Sequence, residues 1–389
     1  MGTLKRFNVN KLFIRDPGKN WYNGPIAGVC EDADSLAVAL NEVVSLFDRD
    51  KVTFIGSSMG GYGALLLGTL LNVGKIRAIA PQIVLNPKIP HSPKADVKYS
   101  DLSQVINRGS TKSDVKIWFG CGELLDVFQV VRCVGIDGCE VNAVPNSLHN
   151  VMAHFKGMSL LPKFIDSLVL GAPFEFAYGD LTGIPYEEIK ESVEMLHLAS
   201  DPLGAAEALG KISHGLIDGG RFDQMGRAWL SAGRVGLARK HLQLAVEFNP
   251  ANYEALYALG TACIQQRDYP NAVANYAAAV LHFPSPNVVY QAQLAAAHRL
   301  NKDYHSALEA IRATLEISNF WKAHYYAGLT YQDMERYADA VRSFQKVIAL
   351  APSFTKASEL MLNCLALQFT KEAHDNFGLK VSTKVSLAA

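Results

Sequence analysis

Residues 52–68 read VTFIGSSMGGYGALLLG, an apolar strand-like run, a turn of small residues, and an apolar helix-like run. Within the turn, Ser58 has a glycine two residues to either side, Gly56 and Gly60, whereas Ser57 does not. A serine held in a tight strand-to-helix turn needs that spacing, because side chains two residues away would run into the neighbouring strand and helix. A hydroxyl displayed in this way can act as a nucleophile once a base and an acid lie beside it. Two later stretches offer them. After the run VKIWFG comes Cys121-Gly122-Glu123-Leu124-Leu125-Asp126, and after CEVNAV comes Pro145-Asn146-Ser147-Leu148-His149-Asn150. Both lie just beyond the carboxyl ends of predicted strands, the edge at which a parallel sheet exposes its reactive groups. The chemistry such a set could do is acyl transfer by serine, histidine and carboxylate, with Glu123 and Asp126 both open as the acid.

The turn resembles the nucleophile elbow of the α/β-hydrolase superfamily, with Gly61 and Gly63 beside it. That resemblance implies an acid and then a histidine further along the chain. His149 fits better than His154, which sits inside the next helical pattern, or His91, which precedes both acids in a Pro-rich loop. Glu123 is the closer to its strand. Asp126 matches the longer glycine-to-aspartate loop of the small serine esterases of cell-surface polysaccharide systems, which this half resembles, so the resemblance favours Asp126 and leaves Glu123 as the alternative acid. It further implies an oxyanion hole built from the Met59 backbone N–H and a donor in Arg15-Asp16-Pro17-Gly18-Lys19-Asn20-Trp21-Tyr22. Pro17 has no N–H, leaving Arg15 or Asp16, although Asp16 beside proline is also a plain turn former. The polar stretch from Asn86 to Asp114, with His91 and Tyr99, lies where hydrolases of this kind often place a cap over the substrate.

The elements that must position these groups alternate. VNKLFIR, VTFIG, IRAIAPQIV, VKIWFG and CEVNAV are predicted strands bounded by Gly, Pro, Asn or Asp, and Asp34 to Phe47 carries Leu36, Leu40, Val43, Val44 and Phe47 at helical spacing, with Asp32 or Asp34 as cap. Such alternation predicts a parallel sheet with helices on both faces, a minimal α/β-hydrolase core over residues 1–178.

From about Asp201 the chain is rich in alanine and carries no strand pattern. Gly226, Gly260 and Gly328 fall in a register of 34 residues, with Ala238, Ala272 and Ala340 twelve residues later and Pro250, Pro284 and Pro352 twenty-four later. This spacing resembles the tetratricopeptide repeat (TPR), in which small residues let paired helices approach and proline ends the second helix. Phe222, Leu259, Tyr276, Ala279, Tyr331 and Phe344 match its packing positions. The repeat from Pro284 to Phe320 departs: Ala295 replaces the glycine, Ala307 sits one residue late, and no proline closes it. The expected second part is therefore all-α: a linker with an adaptor helix over 179–202, helical repeats over 203–368 including a second adaptor helix from Leu203 to Ile217 and a capping helix from Ser353 to Leu367, and a tail over 369–389. Tyr257, Tyr290, His298, His324, Tyr325 and Tyr331 are candidates to line a groove for a protein partner or polymer.

Composition narrows the function. The 389 residues carry 37 Lys plus Arg and 37 Asp plus Glu, a net charge of zero, and the balance holds in both halves, so no nucleic-acid partner is expected. No run approaches a membrane span and MGTLKRFNVNKLFIRD lacks a signal-peptide core, so no membrane insertion and a cytoplasmic location are expected. Six scattered cysteines without a CxxC pair suggest neither disulfides nor zinc, and neither a metal nor another cofactor is expected. The leading expectation is a serine esterase or deacetylase acting on a small-molecule or glycan-linked acyl ester. The alternatives are a TPR scaffold with an inactive hydrolase fold, or an acyltransferase using the same triad.

Overall fold

The computed structural model describes residues 4–108 and 113–377. Two compact units emerge: one holds the residues up to Leu237 together with Leu244–Pro250, the other Ala238–Gln243 and the residues from Ala251 onward.

The first unit opens with helix α1 (Ala33–Val44), begun by a capping box in which Asp32 accepts from the Ser35 N–H, and continues through strand β1 (Thr53–Ser57) and helix α2 (Met59–Leu71). Strand β2 (Lys75–Ile79), helix α3 (Leu102–Arg108), strand β3 (Asp114–Gly120), helix α4 (Leu124–Val130) and strand β4 (Cys139–Val144) follow. Helices α5 (Val151–Gly157), α6 (Leu161–Leu170), α7 (Tyr186–His197), α8 (Pro202–Gly210) and α9 (Asp218–Ser231) complete it. The four strands form one parallel sheet in the order β1-β2-β3-β4. Pairing sets Ser57 opposite Ile79, Ile79 opposite Trp118, and Gly120 opposite Val144, so the carboxyl ends lie close to one line.

Alternation along β3 divides the core. Val115, Ile117 and Phe119 join α1, α2, α4 and α7 on one face, while Trp118 meets Phe155 and Phe164 of α5 and α6 on the other. Each fully buried phenylalanine there contributes about 2–3 kcal/mol by leaving water. Helix α2 is apolar all round, and Tyr62, Leu65 and Leu66 are wholly enclosed, as its place against the sheet demands.

The expected first strand, Val9–Arg15, is not one. Among the described residues the sheet has four strands, and residues 10–16 run without a ladder, with Leu12 and Phe13 exposed. Nor does IRAIAPQIV run through as a strand: β2 stops at Ile79 because Ala80 turns to a φ of 42° and Pro81 has no N–H to offer a ladder. The compact unit also extends beyond the expected seam near 178–202. Ile189 and Val193 of α7 enter the sheet's core, and α9 comes so close to the acid loop that a Cβ on Gly220 would lie 3.0 Å from the Gly122 carbonyl.

Helix α10 (Val235–Phe248) carries the division between units, and the second unit continues with helical pairs. These are α11 (Tyr253–Gln265) with α12 (Tyr269–His282), α13 (Val288–Leu300) with α14 (Tyr304–Ile317), and α15 (Trp321–Asp333) with α16 (Tyr337–Leu350). Helix α17 (Lys356–Phe377) closes them and runs straight through Thr370, where a frayed tail was expected, there being no Gly or Pro between Thr370 and residue 378 to stop it; residues 378–389 of that tail lie outside the described ones. Size is matched within pairs. A Cβ on Gly260 would fall 2.9 Å from the Tyr276 ring and one on Gly328 2.5 Å from the Phe344 ring, whereas Ala295 shares its core with the smaller Ile311. The departing repeat is thus a compensated exchange.

That matching is testable by thermal denaturation. Gly328→Ala is expected to destabilise the chain by about 1–3 kcal/mol through overpacking against Phe344. Adding Phe344→Ile, which copies Ala295 and Ile311, should restore stability, and losses that simply add would count against size complementarity.

Candidate functional site

The site is assembled at the carboxyl edge of the sheet. Ser58 follows β1 and precedes α2 with φ 54° and ψ −122°, a conformation that costs a non-glycine residue about 1–3 kcal/mol. Two backbone bonds hold it there: the Ser58 N–H donates to the Ile79 carbonyl at 2.8 Å, and the Ser58 carbonyl accepts from the Tyr62 N–H at 3.0 Å. Of the two flanking glycines, only Gly56 is required by space, since a Cβ there would lie 1.9 Å from the Gly60 carbonyl oxygen. The expectation for Gly60 is corrected: a Cβ there meets nothing within 4 Å, so no neighbouring strand or helix crowds that position. Tightness falls instead on Gly63, where a Cβ would strike the Tyr22 ring at 2.5 Å.

His149 brings Nε2 to 3.0 Å from Ser58 Oγ and Nδ1 to 2.8 and 3.1 Å from the two carboxylate oxygens of Asp126. With its proton on Nδ1 facing Asp126, the ring offers Nε2 as an acceptor for the Ser58 hydroxyl. Asp126 is buried in the first turn of α4, where the helix macrodipole favours its charge. Glu123 is the N-cap residue of the same helix and makes no side-chain cap bond. The acid facing the histidine is Asp126. The loops carrying the two groups are joined by the Gly122 N–H donating to the Ser147 carbonyl at 2.8 Å, and Asn150 caps α5 just after His149. His149 is 36% exposed, so the dyad is reached from solvent.

Met59 opens α2, and its N–H belongs to the first-turn donors that have no intrahelical acceptor. The Asp16 side chain does what a turn former does: it is buried and accepts from the Gly18 N–H at 3.1 Å and the Tyr22 N–H at 3.0 Å. Any oxyanion role for Asp16 therefore rests on its backbone. Cys121, just before Glu123, has its thiol pushed up to about 12 by burial and by the neighbouring Asp126 charge, so it stays protonated at neutral pH.

The expected cap segment contains α3, and its residues 109–112 lie outside the described ones. The His91 ring lies nearly parallel to that of His149, with centroids 6.3 Å apart. Tyr99 is spent on structure: its hydroxyl binds the Asp34 carboxylate and its carbonyl accepts from the Tyr62 hydroxyl at 2.6 Å. The residue missed in the sequence is Gln82, buried, with Nε2 at 3.5 Å from Ser58 Oγ. It lies beyond the carboxyl end of β2 by the same edge rule that found His149, but reading IRAIAPQIV as one long strand hid it. Among the described residues, no group of three or more His, Cys, Asp or Glu side chains could hold a metal ion, and no helix is long and apolar enough to cross a membrane.

In the second unit, the expected groove residues are used largely in packing. Tyr257 stacks on Tyr290 with centroids 4.6 Å apart, Tyr325 meets Phe354 edge-on, and Tyr331 lies under the Arg336 guanidinium. His324 is buried with Nε2 2.7 Å from the Asn319 side-chain oxygen, and His298 lies 3.4 Å from Asp303.

Comparison with known proteins speaks to this second unit. Residues 321–354 match the tetratricopeptide repeat family, so the repeats are of TPR type in that stretch. No curated protein sequence matches the chain. Among solved structures, MamA from Desulfovibrio magneticus RS-1 is similar at 21% identity, over 43% of this chain and 95% of that one, with a TM-score of 0.40. A tetratricopeptide repeat protein from Parabacteroides merdae is similar at 14% identity, over 51% of this chain and 80% of that one, with a TM-score of 0.43.

The strain at Ser58 carries a stability prediction. Ser58→Gly is expected to raise stability by about 0.5–2 kcal/mol, since glycine adopts a positive φ freely but loses more chain entropy on folding, whereas Ser58→Ala keeps the strain. Chemical denaturation of both variants checks this; equal midpoints would remove the strain argument.

Proposed function

We propose that the first unit is a serine hydrolase acting on an acyl ester. The observation that carries this reading is the chain of contacts from Ser58 Oγ to His149 Nε2 and from His149 Nδ1 to Asp126, all within hydrogen-bond distance. Ser58 attacks the ester carbonyl as His149 takes its proton, and Asp126 fixes the imidazole tautomer and supports the positive charge that results. The tetrahedral oxyanion is held by the Met59 N–H and by the Asp16 N–H of the Arg15–Tyr22 loop. On collapse of the intermediate His149 returns the proton to the departing alcohol, and a water activated by the same base releases the acyl group. The substrate is a small-molecule or glycan-linked acyl ester, the latter suggested by the likeness to polysaccharide-associated esterases, and the sheet-and-helix unit is read as a minimal α/β-hydrolase.

The repeats support a second role for the chain, an interaction surface for a protein partner or polymer. The match at residues 321–354 favours this and is silent on ester hydrolysis. A scaffold whose triad is never used is therefore the reading to test against.

A fluorophosphonate probe and short p-nitrophenyl esters discriminate. The probe is expected to label Ser58 in the intact chain and not in Ser58→Ala, and Asp126→Asn should lower turnover by about 10⁴-fold. Glu123→Gln is expected to lower turnover far less than Asp126→Asn, because the carboxylate bonded to His149 Nδ1 is that of Asp126. An unlabelled Ser58 with no turnover above the alanine variant would leave the scaffold reading in place of the hydrolase.

A further inference from the structure

Gln82 stands out among the buried polar groups of the first unit. It is 4% exposed, and its Nε2 approaches Ser58 Oγ at 3.5 Å, beyond the range of a strong N–H···O bond. Its Oε1 is buried and finds no partner among the described residues. A buried amide oxygen left unpaired is costly, and native proteins rarely leave one so without use. Gln129 gives the contrast within the same unit. Its Oε1 accepts from the Ile83 and Val84 N–H groups at 2.9 and 2.7 Å, and its Nε2 donates to the Val84 carbonyl at 3.1 Å.

Those bonds also explain why Gln82 is held where it is. The segment enters through Ala80, whose N–H donates to the Trp118 carbonyl at 2.6 Å, and leaves through Ile83 and Val84 on the Gln129 clamp. Gln129 stands three residues after Asp126 in α4, so one short helix sets both the acid behind His149 and the backbone under Gln82. The carboxamide is thus fixed on both flanks at the edge of the nucleophile, with a hydrogen-bond acceptor to spare.

We propose that Gln82 is a specificity-determining residue and that its Oε1 accepts a hydrogen bond from an O–H or N–H group carried by the substrate beside the reacting ester. The inference rests on the acyl-ester reading above. A site that buries an unpaired acceptor rejects a substrate lacking the donor, because binding such a substrate would seal the oxygen away from water as well. The donor can sit on the alcohol side of the ester or on its acyl side, and the chemistry at Oε1 is the same.

Acid release by the full chain is measured on two matched pairs. 2-Hydroxyethyl acetate against 2-methoxyethyl acetate places the donor on the alcohol, and methyl hydroxyacetate against methyl methoxyacetate places it on the acyl group. The parent chain is expected to favour the hydroxyl-bearing member of one pair by at least about 10-fold in kcat/KM. In Gln82→Met that ratio should fall to about 2-fold or less, while Gln82→Glu, which keeps an acceptor oxygen, retains it. Thermal melting verifies that each variant folds. If Gln82→Met does not, Gln82→Asn, which withdraws the amide by one methylene, reads the same ratio. A parent chain that labels with fluorophosphonate at Ser58 yet shows no preference in either pair overturns the proposal, as does a preference that survives in Gln82→Met. Failure of the parent both to label at Ser58 and to hydrolyse any of the four esters overturns the acyl-ester reading itself, and this inference falls with it.

Discussion

Everything in the first unit depends on the parallel pairing that ends its strands together. Ser57 lies opposite Ile79, Ile79 opposite Trp118, and Gly120 opposite Val144, so the chain leaves the sheet four times along one edge. Parallel strands cannot be joined by tight hairpins, and each exit must therefore open into a loop or helix before the chain returns. Those exits carry Ser58, Gln82, Asp126 and His149, residues separated by up to 91 positions in sequence. The edge also supplies the backbone bonds that lock them, the Ser58 N–H to the Ile79 carbonyl and the Ala80 N–H to the Trp118 carbonyl. Pairing and site geometry are one constraint.

Helix α4 is where positioning is concentrated. It is only seven residues long, yet Asp126 on it faces His149 and Gln129 on it grips the segment after β2. Its burial on the sheet through Leu124, Val127 and Phe128, and the packing of α7 against it, give this short element a rigidity that seven residues in water would lack. The extension of the compact unit through α9 belongs to the same arrangement, since Gly220 of α9 lies against the acid loop. The residues after 178 therefore help to build the first unit.

How much of this could be read beforehand follows from what kind of signal each feature leaves. Ser58 and His149 were legible because apolar runs mark strand ends and reactive groups collect just past them, whereas that rule left Glu123 and Asp126 both open and only the family resemblance favoured Asp126. The glycine register of the repeats was legible because helix pairs of fixed length repeat their close contacts, and the match at residues 321–354 agrees with it. Val9–Arg15 misled, since β-branched and aromatic residues describe a strand-like segment without supplying a neighbour to pair with. Gln82 was hidden by a strand that ends early for two local reasons, the positive φ of Ala80 and the imide of Pro81. Gly60 was over-read because spacing cannot say which way a missing Cβ would point. Asp16 stayed ambiguous in sequence for a physical reason: its side chain organises the loop, and only its backbone is available for the chemistry.

The size matching inside the helical pairs bears on how such an array can diversify. Gly260 with Tyr276 and Gly328 with Phe344 are tight pairs, while Ala295 with Ile311 reaches a similar fit with the bulk redistributed between the two helices. A single helix transplanted from the α13–α14 pair into either neighbour would bring a methyl group against an aromatic ring or leave a void. A whole hairpin moved as one piece would bring its own complement. The heritable module is thus the helix pair, and recombination between repeats is tolerated at the loops that separate pairs and penalised at the turn inside them.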